Sequence, residues 1–81
     1  MSFELFTRVV LTRDVPGENV RRGDVATIVE EHRDASGEVV GFEVELFSAA
    51  GDTLAVASVP VDAVRKPSSA DRLTTRVASS R

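Results

Sequence analysis

The single histidine of the chain, His32, lies in a stretch whose side chains are of types that serve as metal ligands or general bases. It follows Glu30 and Glu31 and precedes Asp34. On a β-strand, side chains alternate between the two faces, so Glu30 shares a face with His32 while Glu31 points away. That leaves two ligands, whereas zinc takes three or four from a protein. The pattern therefore predicts a solvated strand end with no bound metal.

Glu43 and Glu45 are a second pair of groups with acid–base potential. On a strand they lie on the same face, about 7 Å apart along its length. Paired carboxylates catalyse proton transfer where a cleft shifts the pKa of one of them. A small β-domain of this length has little concavity beyond what its loops form, so we expect these glutamates to lie on the outer face of a strand.

Other catalytic patterns are missing from the sequence. No serine has a histidine or lysine partner at a suggestive spacing, and the glycines form neither a dinucleotide-binding fingerprint nor a phosphate-binding loop. The chain has no cysteine, which excludes disulfides, thiolate nucleophiles and cysteine-ligated metal centres. We therefore expect a protein that is not an enzyme, with no catalytic residue, cofactor or metal.

The elements that carry these side chains are built mainly from β-branched residues. The 81 residues include 14 valines but only four phenylalanines, with no tryptophan or tyrosine. Short valine-rich runs separated by turn residues are typical of a small all-β fold. The core of such a chain is thin, and we expect a free energy of unfolding of about 3–5 kcal/mol.

The clearest strand covers residues 39–47, where apolar and acidic side chains alternate with a period of two. The residues predicted to face the core are Phe42, Val44 and Leu46. Phe47 falls on the opposite, outer face, where it is available to a partner. A ring folded under the turn that follows is the alternative for Phe47.

Three further strands are predicted by the runs at residues 6–12, 25–32 and 53–59, which turn residues separate. Val9 and Leu11 are expected on the inner face of the first strand, with Val10 outward. Leu54 and Val56 are expected inward in the last of these runs. One 3-10 turn at residues 61–64 precedes a brief closing strand at residues 65–66.

Four or five short antiparallel strands, with a 3-10 turn before the last, predict a small SH3-like barrel. Closure of the sheet also removes exposed strand edges. We assign residues 1–67 to this domain. Residues 68–81 carry only Leu73 and Val77 at helical spacing, which is too little to offset the cost of ordering them. They are predicted to form a flexible or weakly helical C-terminal tail.

The charge of the chain is acidic over the predicted domain. The net charge is −3; residues 1–66 carry seven basic and twelve acidic residues, and residues 67–81 carry three basic residues and one acidic residue. An acidic body repels phosphate backbones and argues against nucleic acid as the main partner. No apolar stretch approaches the roughly 18 residues that span a bilayer, and no secretory signal is present. We therefore expect a cytoplasmic protein without membrane contact.

Candidate partner-contact residues come from the outer face and from one loop. Phe47 and Val10 are expected outward, where exposed apolar side chains indicate a protein contact. Arg21 and Arg22 form a local basic spot in the loop after the first strand, although acidic residues are interspersed there. A groove for proline-rich peptides needs tyrosine and tryptophan, which the chain lacks.

The sequence resembles a family of short bacterial proteins of unknown function. The runs that carry the resemblance are Thr7–Pro16, Val20–Glu30, Gly41–Phe47 and Gly51–Val59. Together they cover about residues 5–67 and imply a single SH3-like domain of this length. Ala26 stands where members of that family usually have a second glycine. The resemblance implies no activity, because no catalytic residues are assigned to its pattern.

A weaker likeness, through Arg22–Val25, is to the KOW element of ribosomal and transcription proteins. The sequence therefore predicts a non-catalytic β-barrel that binds another protein, as an interaction, inhibitor or accessory module. A neighbouring-gene enzyme or toxin that the protein caps and a larger enzyme that it joins as a subunit are both compatible with this prediction. A KOW-like, nucleic-acid-associated module is the alternative. The partner's identity and the oligomeric state stay open at this point.

Overall fold

The computed structural model describes residues 3–48 and 50–68, which form one antiparallel sheet of five strands. The strands are β1 (Arg8–Leu11), β2 (Val25–Arg33), β3 (Val39–Phe47), β4 (Thr53–Pro60) and β5 (Val64–Arg65). A 3-10 turn at Val61–Ala63 separates β4 from β5. The order across the sheet is β4-β3-β2-β1-β5, so the last strand returns to pair with the first. The predicted all-β, SH3-like architecture is confirmed, as a curled half-barrel. The expected closure is not observed among the described residues, because β4 and β5 stay at the two edges of the sheet.

Strand β3 is a central strand with the predicted alternation. Phe42, Val44 and Leu46 are buried, while Glu43 and Glu45 lie on the outer face and are half-buried. The strand pairs with β2 on one side and β4 on the other along most of its length. Its inner side chains therefore meet both neighbouring strands, which places β3 at the middle of the core.

The core is a single cluster of small apolar side chains. Its buried members are Phe3, Val9, Leu11, Val15, Val20, Ala26, Ile28, Phe42, Val44, Leu46, Ala55, Ala57, Val59, Ala63 and Val64. The rings of Phe3 and Phe42 meet edge to face, with centroids 5.8 Å apart. Aromatic pairs of this geometry are attractive beyond the area they bury. The rest of the core is aliphatic, as the valine-rich composition predicts.

The inward assignment of Leu54 and Val56 is wrong. Both side chains face out, and Ala55 and Ala57 face the core instead. The register explains this, because Ala57 lies opposite Val44 and Ala55 lies opposite Leu46. A small side chain opposite each of these larger ones fits a closely packed core, in which added volume is destabilising.

The loop between β1 and β2 is held by a turn that contains the basic spot. Gly23 has a φ of 91°, a conformation that glycine adopts without strain, and its N–H donates to Leu11 O at 2.7 Å. Asp24 is buried, and its Oδ2 accepts a hydrogen bond from Arg21 N at 2.9 Å. The Arg22–Val25 run that resembles a KOW element is thus the turn that leads into β2.

Among the described residues, no helix is long and apolar enough to cross a membrane. The predictions made for residues 68–81 fall, from residue 69 onward, outside the residues that the structure describes.

Candidate functional site

The outer face of the sheet carries most of the residues whose side chains could act as acids, bases or nucleophiles. Two rows of outward positions cross the strands, as the register defines them. The first row is Arg8, Thr27, Glu45 and Val56. The second row is Glu30, Glu43 and Ser58. This face is therefore acidic at its centre and apolar toward β4.

The imidazole of His32 belongs to a hydrogen-bonded cluster around Glu43. His32 Nε2 lies 3.3 Å from Glu43 Oε1, and Ser58 Oγ donates to the same oxygen at 2.7 Å. The serine hydroxyl therefore donates its hydrogen bond to Glu43 and not to His32. A serine nucleophile is activated when a neighbouring imidazole accepts that hydrogen bond, and this arrangement lacks it. Within residues 3–48 and 50–68, no group of three or more potential ligands could hold a metal ion.

An apolar surface lies beside this cluster, at the far end of the β3–β4 hairpin. Phe47 is 40% exposed, Leu54 43% and Val56 48%. Thr53 pairs with Phe47, and the register shift that follows makes Leu54 an extra residue in a β-bulge. We call Phe47, Leu54 and Val56 the hairpin patch. Phe47 is exposed, as its expected outward position requires, and its role as a partner contact stays a prediction.

The expected outward exposure of Val10 is wrong. Val10 lies on the side of β1 opposite the core residues Val9 and Leu11, yet it is only 1% exposed. Its strand is internal to the sheet, and Val25 and Arg65 pair with Val10 from both sides. Directly opposed side chains lie close enough to touch. Val10 therefore offers no surface to a partner.

Arg21 and Arg22 are both exposed, as the contact prediction requires. Within the described residues their guanidinium groups form no ion pair. Acidic side chains nevertheless stand close by, because Arg22 N donates to Asp14 Oδ1 at 2.9 Å and Asp24 accepts from Arg21 N. The basic spot is thus interleaved with carboxylates that hold the loop.

Sequence reasoning missed the most exposed large apolar side chain among the described residues, Phe6. It is 72% exposed, and its φ of 65° is uncommon for a bulky residue. Its N–H donates to Ile28 O at 2.6 Å, and Thr7 Oγ1 donates to Glu4 O at 2.7 Å. These bonds hold the turn that presents the ring to solvent. The sequence shows only a phenylalanine at a strand start.

Asp34 has a structural task in the β2–β3 hairpin. Its Oδ1 accepts hydrogen bonds from the Ser36 hydroxyl at 2.6 Å and from the N–H of Ser36 and of Glu38. The bond from the Ser36 hydroxyl, followed by that from Glu38 N–H, holds the pKa of Asp34 below its ordinary value. The low pKa is accounted for by the turn alone.

A groove of about 500 Å³ lies at the opposite end of the barrel from the hairpin patch. Its floor is apolar, formed by Phe3, Val39, Val61 and Val64, and its rim carries Glu38, Arg65 and Lys66. It contains none of the residues that the sequence singled out as partner contacts. The hairpin patch and the groove are therefore separate surfaces.

No curated protein and no solved structure matches this chain. A family model described as a domain of unknown function, DUF4926, matches residues 5–66. That span contains all five strands and the loops that hold the turn at Gly23. Because the match covers the whole sheet, the chain belongs to the DUF4926 family.

Proposed function

We propose that this protein is a non-catalytic β-barrel module of the cytoplasm that acts by binding another protein, as an interaction, inhibitor or accessory module. The observation that carries this proposal is the hairpin patch. The register places its three apolar residues at neighbouring positions near the turn of the β3–β4 hairpin, and each is 40% exposed or more. Contiguous exposed apolar residues mark protein contacts, and phenylalanine is enriched at their centres.

The surroundings of the hairpin patch favour a partner with basic residues around an apolar centre. Glu45 pairs directly with Val56, and Asp52 precedes β4. The part of the chain up to residue 66 carries a net −5. Complementary charges at the rim of an interface steer the encounter and fix its orientation.

Two observations support a non-catalytic role. The hydroxyl of Ser58 donates to Glu43 rather than to His32, so the cluster that most resembles a catalytic one lacks an activated nucleophile. The carboxylates of Asp14 and Asp24 are occupied by backbone N–H groups of the β1–β2 loop.

The absence of cysteine accords with a reducing compartment such as the cytoplasm.

The test is affinity capture from a lysate of the native cell with wild-type protein and two variants. Phe47→Ser alters the hairpin patch, and Val40→Ser alters an equally exposed valine of the same strand outside it. We expect a partner that wild type and Val40→Ser retain and Phe47→Ser loses, with all three proteins folded by circular dichroism. Equal capture by all three, or no specific capture by wild type, would overturn the proposal.

A KOW-like nucleic-acid module is the second candidate, because Arg21 and Arg22 are exposed at the KOW-like turn. The acidic body and the neighbouring Asp14 and Asp24 oppose it. We expect random DNA and RNA to bind no tighter than the non-specific range of about 10⁻⁴ M near physiological salt. Fluorescence anisotropy decides between the candidates, and micromolar binding at about 150 mM salt would favour the nucleic-acid role.

A further inference from the structure

Strand β4 is an edge of the sheet, with β3 on one side and no strand on the other among the described residues. Ser58 N–H donates to Glu18 Oε1 at 3.0 Å, so the backbone of Ser58 points away from β3. In an antiparallel ladder, residues two apart on a strand direct their backbone groups to the same side. The N–H and C=O of Val56 therefore also face the open edge.

This edge carries fewer protective features than the other edge of the sheet. The eight residues of β4 include no charged side chain, and the proline lies at the last position. The other edge strand, β5, is two residues long, contains Arg65 and precedes Lys66 and Pro67. Short length, charge, proline and bulges all hinder strand addition. On β4, the Glu18 carboxylate lies at Ser58 N–H and a bulge lies at Leu54, so the unprotected part of this edge is Ala55–Ala57, around Val56.

The sequence of β4 is nearly palindromic about Val56. Alanine stands on both sides, at positions 55 and 57, followed outward by Leu54 and Ser58. An antiparallel pair of identical strands with its twofold axis at Val56 opposes Val56 to Val56, alanine to alanine and Leu54 to Ser58. None of these paired residues is charged, and Glu18 has to release Ser58 N–H before Ser58 can pair with Leu54 of the second copy. Such self-complementary pairing is what a twofold dimer requires.

We propose that two copies of this chain associate through β4, antiparallel and with the twofold axis at Val56. The two Val56 residues then exchange both backbone hydrogen bonds, and the sheets join into one. Glu45, which pairs with Val56, is about 14 Å from its mate across three strand spacings, and the two Glu43 residues are farther apart because Glu43 pairs with Ser58, two residues from the axis. That separation exceeds the Debye length of about 8 Å, so the acidic face does not prevent association.

This proposal can be tested separately from the proposed function, although Leu54 and Val56 belong both to the β4 edge and to the hairpin patch. Pairing uses the edge of β4, and Phe47 lies one strand further in, where it remains available to a protein partner. The dimer brings two hairpin patches onto one continuous sheet. A failure of either proposal leaves the other standing, because one test changes Phe47 and measures capture from a lysate, and the other changes Val56 and measures association of the purified protein.

The first test is sedimentation of the purified protein over a concentration series. We expect a dimer, with Val56→Lys weakening association by about tenfold or more, because two lysines then stand directly opposite each other. Val40→Lys introduces the same charge at a similarly exposed valine of β3 and should dimerise as wild type does. A 1:1 mixture of Val56→Lys and Val56→Glu should restore the dimer, because opposite charges then meet.

The second test uses the absence of cysteine from the chain. Opposed residues that share backbone hydrogen bonds have Cα atoms about 5.5 Å apart, within the range that a disulfide bridges. Val56→Cys should therefore oxidise to a covalent dimer, and Val40→Cys should not. A wild-type protein that is monomeric at every concentration, equal behaviour of the position 56 and position 40 variants, or no rescue in the mixture would overturn the proposal.

Discussion

The two faces of the β3–β4 hairpin are made by neighbouring residues of the same strands, yet they differ in kind. On the inner face, Phe42 and Val44 are almost fully buried. On the outer face, Glu43 and Glu45 keep partial contact with water, and Phe47 is exposed. The inner face holds the barrel together and is out of reach of any partner. The proposed recognition by this hairpin must therefore use the outer face or the edge.

Strand β4 shows the same division with an inverted size pattern. Its larger aliphatic side chains, Leu54 and Val56, face outward, and its alanines face the core. Burial alone favours the opposite arrangement, since larger apolar side chains gain more from leaving water. The inversion leaves apolar area on the surface that contributes little to folding, which is the property expected of a contact surface.

The largest expected effect comes from exchanging one inner side chain. Val44→Ala removes two buried methyl-sized groups at the centre of the core and should lower the free energy of unfolding by about 2 kcal/mol. The adjacent outer change, Glu45→Ala, should cost less than about 0.5 kcal/mol. Urea midpoints at constant slope measure both, and equal losses would contradict the assignment of the two faces.

Gly41 sharpens the comparison, because it is a buried exception on the outer side of β3. A Cβ at this position would lie 2.8 Å from the backbone oxygen of Val59. Overpacking against backbone costs about 1–3 kcal/mol, and the loss of glycine entropy in the unfolded chain offsets about 0.4–1 kcal/mol. Gly41→Ala should therefore destabilise by about 1 kcal/mol. Gly51→Ala is not a suitable control because Gly51 has a positive φ, so Glu45→Ala is the control. An unchanged urea midpoint for Gly41→Ala would show that β4 moves to make room for the added methyl group.

The smallest expected effect is a gain in stability at Phe6. Asparagine adopts a positive φ more readily than phenylalanine, and the exposed ring buries little area. Phe6→Asn should raise the free energy of unfolding by about 0.5–1 kcal/mol, since the left-handed conformation costs an ordinary residue about 1–2 kcal/mol. Leu5→Asn, at an exposed position without positive φ, should give no gain. A loss of stability in Phe6→Asn would show that the ring packs on the barrel.

The alternation of side chains predicted the inner face correctly where only one face of a strand is apolar. In β3 the alternation of Phe42, Val44 and Leu46 with glutamates admits one register, because the opposite choice buries charge. In β4 the residues of both faces are apolar or small, so the alternation does not show which face is buried. The assignment of Leu54 as inward failed for that reason, and the pairing of Ala55 with the buried Leu46 shows which residues of β4 face the core.

The candidate site was less accessible to sequence reasoning than the fold. Phe47 follows from alternation alone, and Arg21 and Arg22 follow from their place in a turn. The burial of Val10 can be predicted only if β1 is known to lie between two other strands. The exposure of Phe6 depends on a backbone angle that no neighbouring residue indicates. Contacts of a side chain with other strands decide its exposure, and a single strand's pattern omits them.

By itself the sequence determined the all-β class, the strands, the turns, the acidic charge and the inner face of β3, because each depends on residues close together in the chain. Tertiary structure alone decided that Glu43 joins His32 and Ser58, which are 11 and 15 residues away, and that Glu18 reaches the edge of β4 from 40 residues away. Such contacts depend on register and on bulges, which set how distant strands align. No local pattern of side chains encodes that alignment.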